Sequence, residues 1–190
     1  MAYYFLVAQL PYLSAQAQKP PMTAEAFRAM CAEHLTAREL AELDKLDPGY
    51  RFGEEKAGDQ GSGFFAAWQK READLEYAMA KLRAAKLKRD MPGEARAVPH
   101  EIENEARTAF AMENPLEAEL YLDKGRWEFA EALAGLDYFG VNVLYAYRIK
   151  LLLLERRQAF QAGEGLTEYE ALYEKILKMA PGRAAAGDMT

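Results

Sequence analysis

The fold class this sequence predicts is all-α: an antiparallel helical bundle with a small helical N-terminal lobe. Three observations carry that expectation. After residue 13 no stretch alternates apolar and polar residues as a half-buried strand does. Ala, Leu, Glu and Lys, all strong helix formers, dominate the chain. Apolar residues also recur three and four apart between recognisable caps and stops.

The elements follow in order. Residues 3–13 are aromatic and apolar, short enough to suit either helix or strand, and Pro11 and Pro20-Pro21 punctuate them. Thr23 caps a helix over residues 24–34, with Phe27, Met30, Cys31 and His34 on one face. Thr36 and Glu39 form a capping box for a helix over 37–46, with Leu40, Leu43 and Leu46 inward, and Asp47-Pro48-Gly49 ends it. Residues 51–63 are a polar, glycine-rich connection. Ser62 caps a long helix over about 64–89, striped by Trp68, Leu75, Met79, Leu82 and Lys86, and Met91-Pro92-Gly93 breaks it. A helix over about 100–112 places Ile102, Ala106, Ala109 and Phe110 inward.

Asn114-Pro115 opens the next helix with proline at its permitted first position, and Gly135 stops it. Leu116, Leu120, Trp127 and Ala130 form its stripe, flanked by Leu122, Phe129 and Leu133. Asp137 caps a helix over about 138–161 that is apolar on most sides and therefore central. Thr167 caps a last helix through residue 179, with Tyr169, Leu172, Tyr173 and Ile176 inward. The expected organisation is a lobe over 1–60, a main bundle over 61–180 and a frayed tail over 181–190.

Composition bounds the function. The 190 residues carry 24 Lys and Arg against 30 Asp and Glu, a net charge of −6, which disfavours a general nucleic-acid binder. A single cysteine excludes an internal disulfide and fits a reducing compartment. No run approaches the roughly 20 apolar residues of a membrane span. The apolar start lacks a preceding basic residue and is interrupted by Gln9 and Pro11, so it makes a poor secretion signal, and a cytoplasmic location is expected.

Chemistry-bearing patterns are few. Cys31 and His34 lie one turn apart, but zinc needs three or four ligands, and the other histidine, His100, is remote. No Glu-x-x-His pair for a di-iron bundle exists. Gly61-Ser62-Gly63-Phe64-Phe65-Ala66 imitates a dinucleotide loop without the buried strand such a loop follows. Glu119 and Asp123 share a helix face at i, i+4 and call for a cation opposite. With Arg126 and Arg148 they form the expected inter-helix polar clamp, Arg156 and Arg157 being alternative cations. A catalytic carboxylate dyad is the other use of such a pair. Lys81, Lys86, Lys88 and Arg89, with Arg83, gather at one helix end, where the helix dipole favours them and where an acidic partner would dock. No nucleophile with a base beside it emerges, so a non-catalytic chain without cofactor or metal is expected.

Three stretches in sequence carry a resemblance. The first is Tyr3-Tyr4-Phe5-Leu6-Val7-Ala8-Gln9-Leu10-Pro11, followed by Lys19-Pro20-Pro21-Met22-Thr23. The second is Asn114-Pro115-Leu116-Glu117-Ala118-Glu119-Leu120-Tyr121-Leu122-Asp123, with Arg126-Trp127 just after. The third is Tyr138-Phe139, then Leu144-Tyr145-Ala146-Tyr147-Arg148-Ile149-Lys150-Leu151 and Leu154-Glu155-Arg156. Together they resemble a bacterial family of unknown function whose genes lie within V-type ATP synthase operons. Members of that family look like counterparts of the helical socket of the enzyme, the component designated C in bacteria and d in eukaryotes. The resemblance implies a non-catalytic helical connector between the central rotor shaft and the membrane rotor ring. It implies the shaft and ring proteins as partners, and a cytoplasmic site peripheral to the inner membrane. The socket component is a much longer chain of repeated helical lobes, and this chain has room for about one. The alternative expectation is a free-standing helical interaction module or homodimer unrelated to the rotary enzyme.

Overall fold

The computed structural model describes residues 3–17, 19–48, 61–90 and 96–161. Seven α-helices and no strand occur among them: α1 Tyr4–Gln9, α2 Ala24–Ala32, α3 Ala37–Lys45, α4 Gly63–Lys86, α5 His100–Ala111, α6 Pro115–Ala134 and α7 Val141–Gln161. The chain is all-α, and the apolar start is helical. The expected helix over 167–179, the tail over 181–190 and most of the glycine-rich connection lie outside the described residues.

Local chemistry sets the helix starts. Thr23 accepts a hydrogen bond from the Ala26 amide, Ser62 from the Phe65 amide and Asn114 from the Leu116 amide ahead of Pro115 at the first turn. Thr36 and Glu39 complete a reciprocal capping box. Asp137 does not cap α7. Its Oδ1 accepts from the Phe139 amide at 3.2 Å, closing a tight turn, and α7 begins four residues later at Val141.

α7 is central, as its apolar surface requires. Leu144, Tyr145, Ile149, Leu151 and Leu154 are fully buried, and α2, α3 and α6 all pack against it. Polar groups on α7 pin the N-terminal segment. The Tyr147 hydroxyl donates to the Pro11 carbonyl at 2.9 Å, and Tyr145 donates to Glu42 at 3.1 Å. The Ala24 amide donates to Glu155 at 2.7 Å, and Arg157 donates to the Ala15 carbonyl. Phe27, Cys31, Leu43 and Leu46 from α2–α3 therefore share one apolar cluster with Phe64 and Trp68 of α4 and with α7. His34, which the spacing sets on one face with Phe27 and Cys31, is exposed, because α2 stops at Ala32.

A second cluster joins α4, α5 and α6 through Leu75, Ala78, Ala106, Ala109 and Leu122. Ion pairs fix the helix directions. Glu119 meets Arg156 and Glu131 meets Lys150, so α6 and α7 are antiparallel. Arg71 meets Glu105 while Lys86 covers Phe110, so α4 and α5 run the same way. Arg96, ahead of α5, lies back along α4, its guanidinium bonded to Asp74 and its amide to the Tyr77 hydroxyl.

Candidate functional site

The unusual feature of the bundle is a chain of ion pairs buried between four helices. Glu105 of α5 receives both carboxylate bonds from Arg71 Nη2 of α4 at 2.8 Å. Arg71 Nη1 then donates to Glu72 at 2.9 Å, and Glu72 accepts from Arg126 Nε of α6 at 3.1 Å. Arg126 Nη1 donates to Asp123 at 2.9 Å. Arg156 of α7 closes the chain, with Nη1 at 3.7 Å from Asp123 and Nη2 bonded to Glu119. Anions and cations thus alternate from α5 through α4 and α6 to α7. Arg71, Asp123 and Arg126 are almost wholly buried, Asp123 at 2% exposure.

The sequence places these groups by simple spacing. Asp123 and Arg126 lie three apart on the inner face of α6, and Glu119 lies one turn earlier. Arg71 and Glu72 are consecutive on α4 and bond to each other, Arg71 also reaching Glu105 of α5 and Glu72 also accepting from Arg126 of α6. Gly125 makes the crossing possible. A Cβ at that position would collide with the Glu105 carboxylate and stand 3.0 Å from Arg71 Nη2. Glycine inside a helix costs about 1 kcal/mol relative to alanine, and here it admits a salt bridge against the α6 backbone. Phe129 covers the pair, its ring 5.2 Å from the Arg71 guanidinium.

The electrostatics are unbalanced. Four carboxylates (Glu105, Glu72, Asp123, Glu119) face three guanidiniums (Arg71, Arg126, Arg156). Burial pushes the Asp123 carboxyl above its ordinary value, against the pull of Arg156 and Arg126, and its Oδ2 has no hydrogen-bond partner. Burial likewise raises Glu105 against Arg71. Burial pulls Arg126 down, but Glu72 and Asp123 outweigh it and hold the guanidinium above its ordinary value.

Of the expected clamp, Glu119, Asp123 and Arg126 come together. Arg148 does not join them. It turns toward α2 and donates to the Ala24 carbonyl at 2.6 Å, because it lies on the α7 face that holds the N-terminal segment. Arg156, two turns further along α7, is the cation that closes the clamp. Arg71, Glu72 and Glu105 escape a reading of the sequence, since adjacent charges on an amphipathic helix resemble a solvated face; the glycine at 125 is the available signal. A second buried carboxylate, Asp74 at 1% exposure, is held by Lys70 at 2.7 Å and by Arg96.

The basic group falls elsewhere. Lys81 is 3.5 Å from Glu103, and Lys86 lies over the Phe110 ring at 5.4 Å. Lys88 and Arg89 are exposed just beyond α4. Among the described residues no group of three His, Cys, Asp or Glu is placed to hold a metal ion, and Cys31 is buried while His34 is exposed. No described helix is long and apolar enough to cross a membrane. Comparison with protein-family models, curated proteins and solved structures finds no match to this chain.

Proposed function

We propose that this chain is a non-catalytic connector of a V-type ATP synthase, a socket-like helical piece between the central rotor shaft and the membrane rotor ring. The observation that supports the reading best is the buried ion-pair chain from Glu105 to Glu119, which cross-braces α5, α4, α6 and α7. Apolar contacts alone tolerate small slides between helices. Bonds of fixed geometry at both ends of Arg71, Arg126 and Arg156 resist shear and twist. A part that transmits torque needs that stiffness and no chemistry of its own. The resemblance of the N-terminal, α6 and α7 stretches to the operon-associated family gives the reading its machine. The test is a tagged pull-down from native membranes in mild detergent, read by mass spectrometry. Recovery of the catalytic head, shaft and ring proteins is expected, with loss of proton-coupled turnover in the deletion strain. Fully coupled ATPase in that strain would sink the proposal.

One observation favours a second reading, a free-standing interaction module or homodimer. Tyr4 stacks on Phe139 with centroids 4.3 Å apart, and both are exposed beside Phe5, itself 72% exposed. Exposed aromatic clusters of this kind mark protein contacts. Under this reading the mass from light scattering rises with concentration, and no rotary protein is captured.

A further inference from the structure

We propose that the C-terminal end of α4 is a docking surface for an acidic amphipathic helix of a partner protein. The surface has an apolar part and a cationic part, and they are contiguous along one helix. A groove of about 130 Å³ lies between α4 and α5, floored by Ala78, Leu82 and Ala85. Lys81 and Arg107 flank it. The acid on this rim, Glu103, is shared between them at 3.5 and 4.0 Å, so the rim keeps a positive excess. Immediately beyond the groove come Lys86, Lys88 and Arg89, all exposed and in no ion pair with another described residue.

Two features argue for use rather than accident. The whole chain carries −6, so a local run of cations opposes its own average. Lys88 also occupies a left-handed backbone position, φ 52°, at the residue after the helix cap, where glycine is the ordinary choice. The fold keeps a lysine there despite the strain. Charge complementarity then names the occupant. Cations around an apolar groove fit a helix with an apolar stripe bordered by Asp and Glu. From Ala78 to Lys86 the surface is about 12 Å long, about two turns of such a helix. A nucleic acid strand would use the cations but leave the groove floor without an apolar partner. The inference does not depend on the connector reading.

The test uses the full chain and a fluorescein-labelled 14-residue peptide built of Glu with Leu along one helical face. Three comparison probes are a scrambled peptide of the same composition, a Lys-for-Glu version and a single-stranded oligonucleotide. Binding is expected to the acidic amphipathic peptide alone. It should weaken at least about tenfold in the Lys86→Glu, Lys88→Glu, Arg89→Glu triple variant, and fall as salt is raised. Acidic side chains at a helix C-terminus also oppose the helix dipole, so Ala85→Gln, at an exposed position lining the groove, is the second variant and should weaken binding several-fold. Circular dichroism checks that each variant stays folded. Equal binding of the scrambled or Lys-containing peptide, tighter binding of the oligonucleotide, or no response to either variant overturns the proposal. The paired variant Glu168→Lys, Glu170→Lys tests the chain's own C-terminal stretch. A tenfold gain in peptide binding there would make that stretch the occupant and overturn the assignment to a partner.

Discussion

Gly125 is where a single residue decides whether four helices can be tied together. In a solvent-facing helix, Gly→Ala would stabilise by about 1 kcal/mol. Here the new Cβ enters the space of the Glu105 carboxylate, which two bonds to Arg71 hold in place. That carboxylate is the end of a flexible side chain and can retreat, but doing so surrenders its bonds to a guanidinium that is almost wholly buried. Losing one partner of a buried pair costs more than the propensity gain, up to about 3–5 kcal/mol if no relaxation occurs. Gly125→Ala is therefore expected to destabilise the chain by up to about 2–4 kcal/mol in urea unfolding, the difference of the two effects. In a Glu105→Ala background the same change should become stabilising by about 1 kcal/mol, because the carboxylate is gone and the Arg71 side-chain end, no longer held by it, can yield. Equal effects in both backgrounds would show that Gly125 has no part in seating the pair.

At the scale of the element, helix ends are legible in the sequence and buried charges are not. Thr23, Thr36 with Glu39, Ser62 and Asn114-Pro115 each announce a helix start through side-chain chemistry that acts within three residues, so sequence alone suffices. Asp137 shows the limit of that logic. The same side chain can cap a helix or close a turn, and the placement of Phe139 against Tyr3 and Tyr4 selects the turn. The centrality of α7 is legible because its apolar surface wraps most of the helix. The ion-pair chain is not, since it depends on which faces of α4, α5 and α6 meet, and α5 returns to run alongside α4. One helix end carries a prediction of its own. α4 closes in a Schellman arrangement, the Arg89 amide donating to the Ala84 carbonyl at 3.0 Å and the Lys88 amide to Ala85 at 3.2 Å. Lys88 takes the left-handed position, which disfavours any residue bearing a Cβ. Lys88→Gly should stabilise the chain by about 1 kcal/mol, seen as a higher urea midpoint with an unchanged slope. If the midpoint falls instead, the lysine side chain contributes more to the helix end than the backbone strain costs.

Among the described residues, the groups whose titration folding shifts divide into two sets that respond to pH in opposite directions. Burial pushes Tyr147 and Cys31 up to about 12. Burial and the neighbouring Glu39 push Tyr3 up to about 12 as well. A group whose value is raised by folding stabilises the native state fully below its unfolded value and loses that contribution as pH climbs through the folded value. These three lie where the N-terminal segment meets the bundle, so that seam should weaken between about pH 9 and 12. Asp123 and Glu105 are raised too, so their contribution is greatest in acid and declines as pH rises through their folded values. Glu131 is lowered, chiefly by the Lys150 bond. For Glu39, burial acts upward, but the bonds from Thr36 and Tyr3 outweigh it and hold it low. Both stabilise above their unfolded values and lose that contribution on acidification. The acid-sensitive contacts are thus the Tyr3–Glu39 and Glu131–Lys150 pairs, while in the ion-pair chain a proton on Asp123 relieves a buried charge. Tyr147→Phe separates the alkaline limb from general weakening. It removes the bond to the Pro11 carbonyl, costing about 1 kcal/mol at neutral pH, and it also removes the ionisation. Denaturant unfolding of variant and parent should therefore differ by that amount at pH 7, meet as pH climbs above the ordinary tyrosine value, and cross before about 12, where the variant becomes the more stable. Curves that stay parallel through that range would place the alkaline transition elsewhere in the fold.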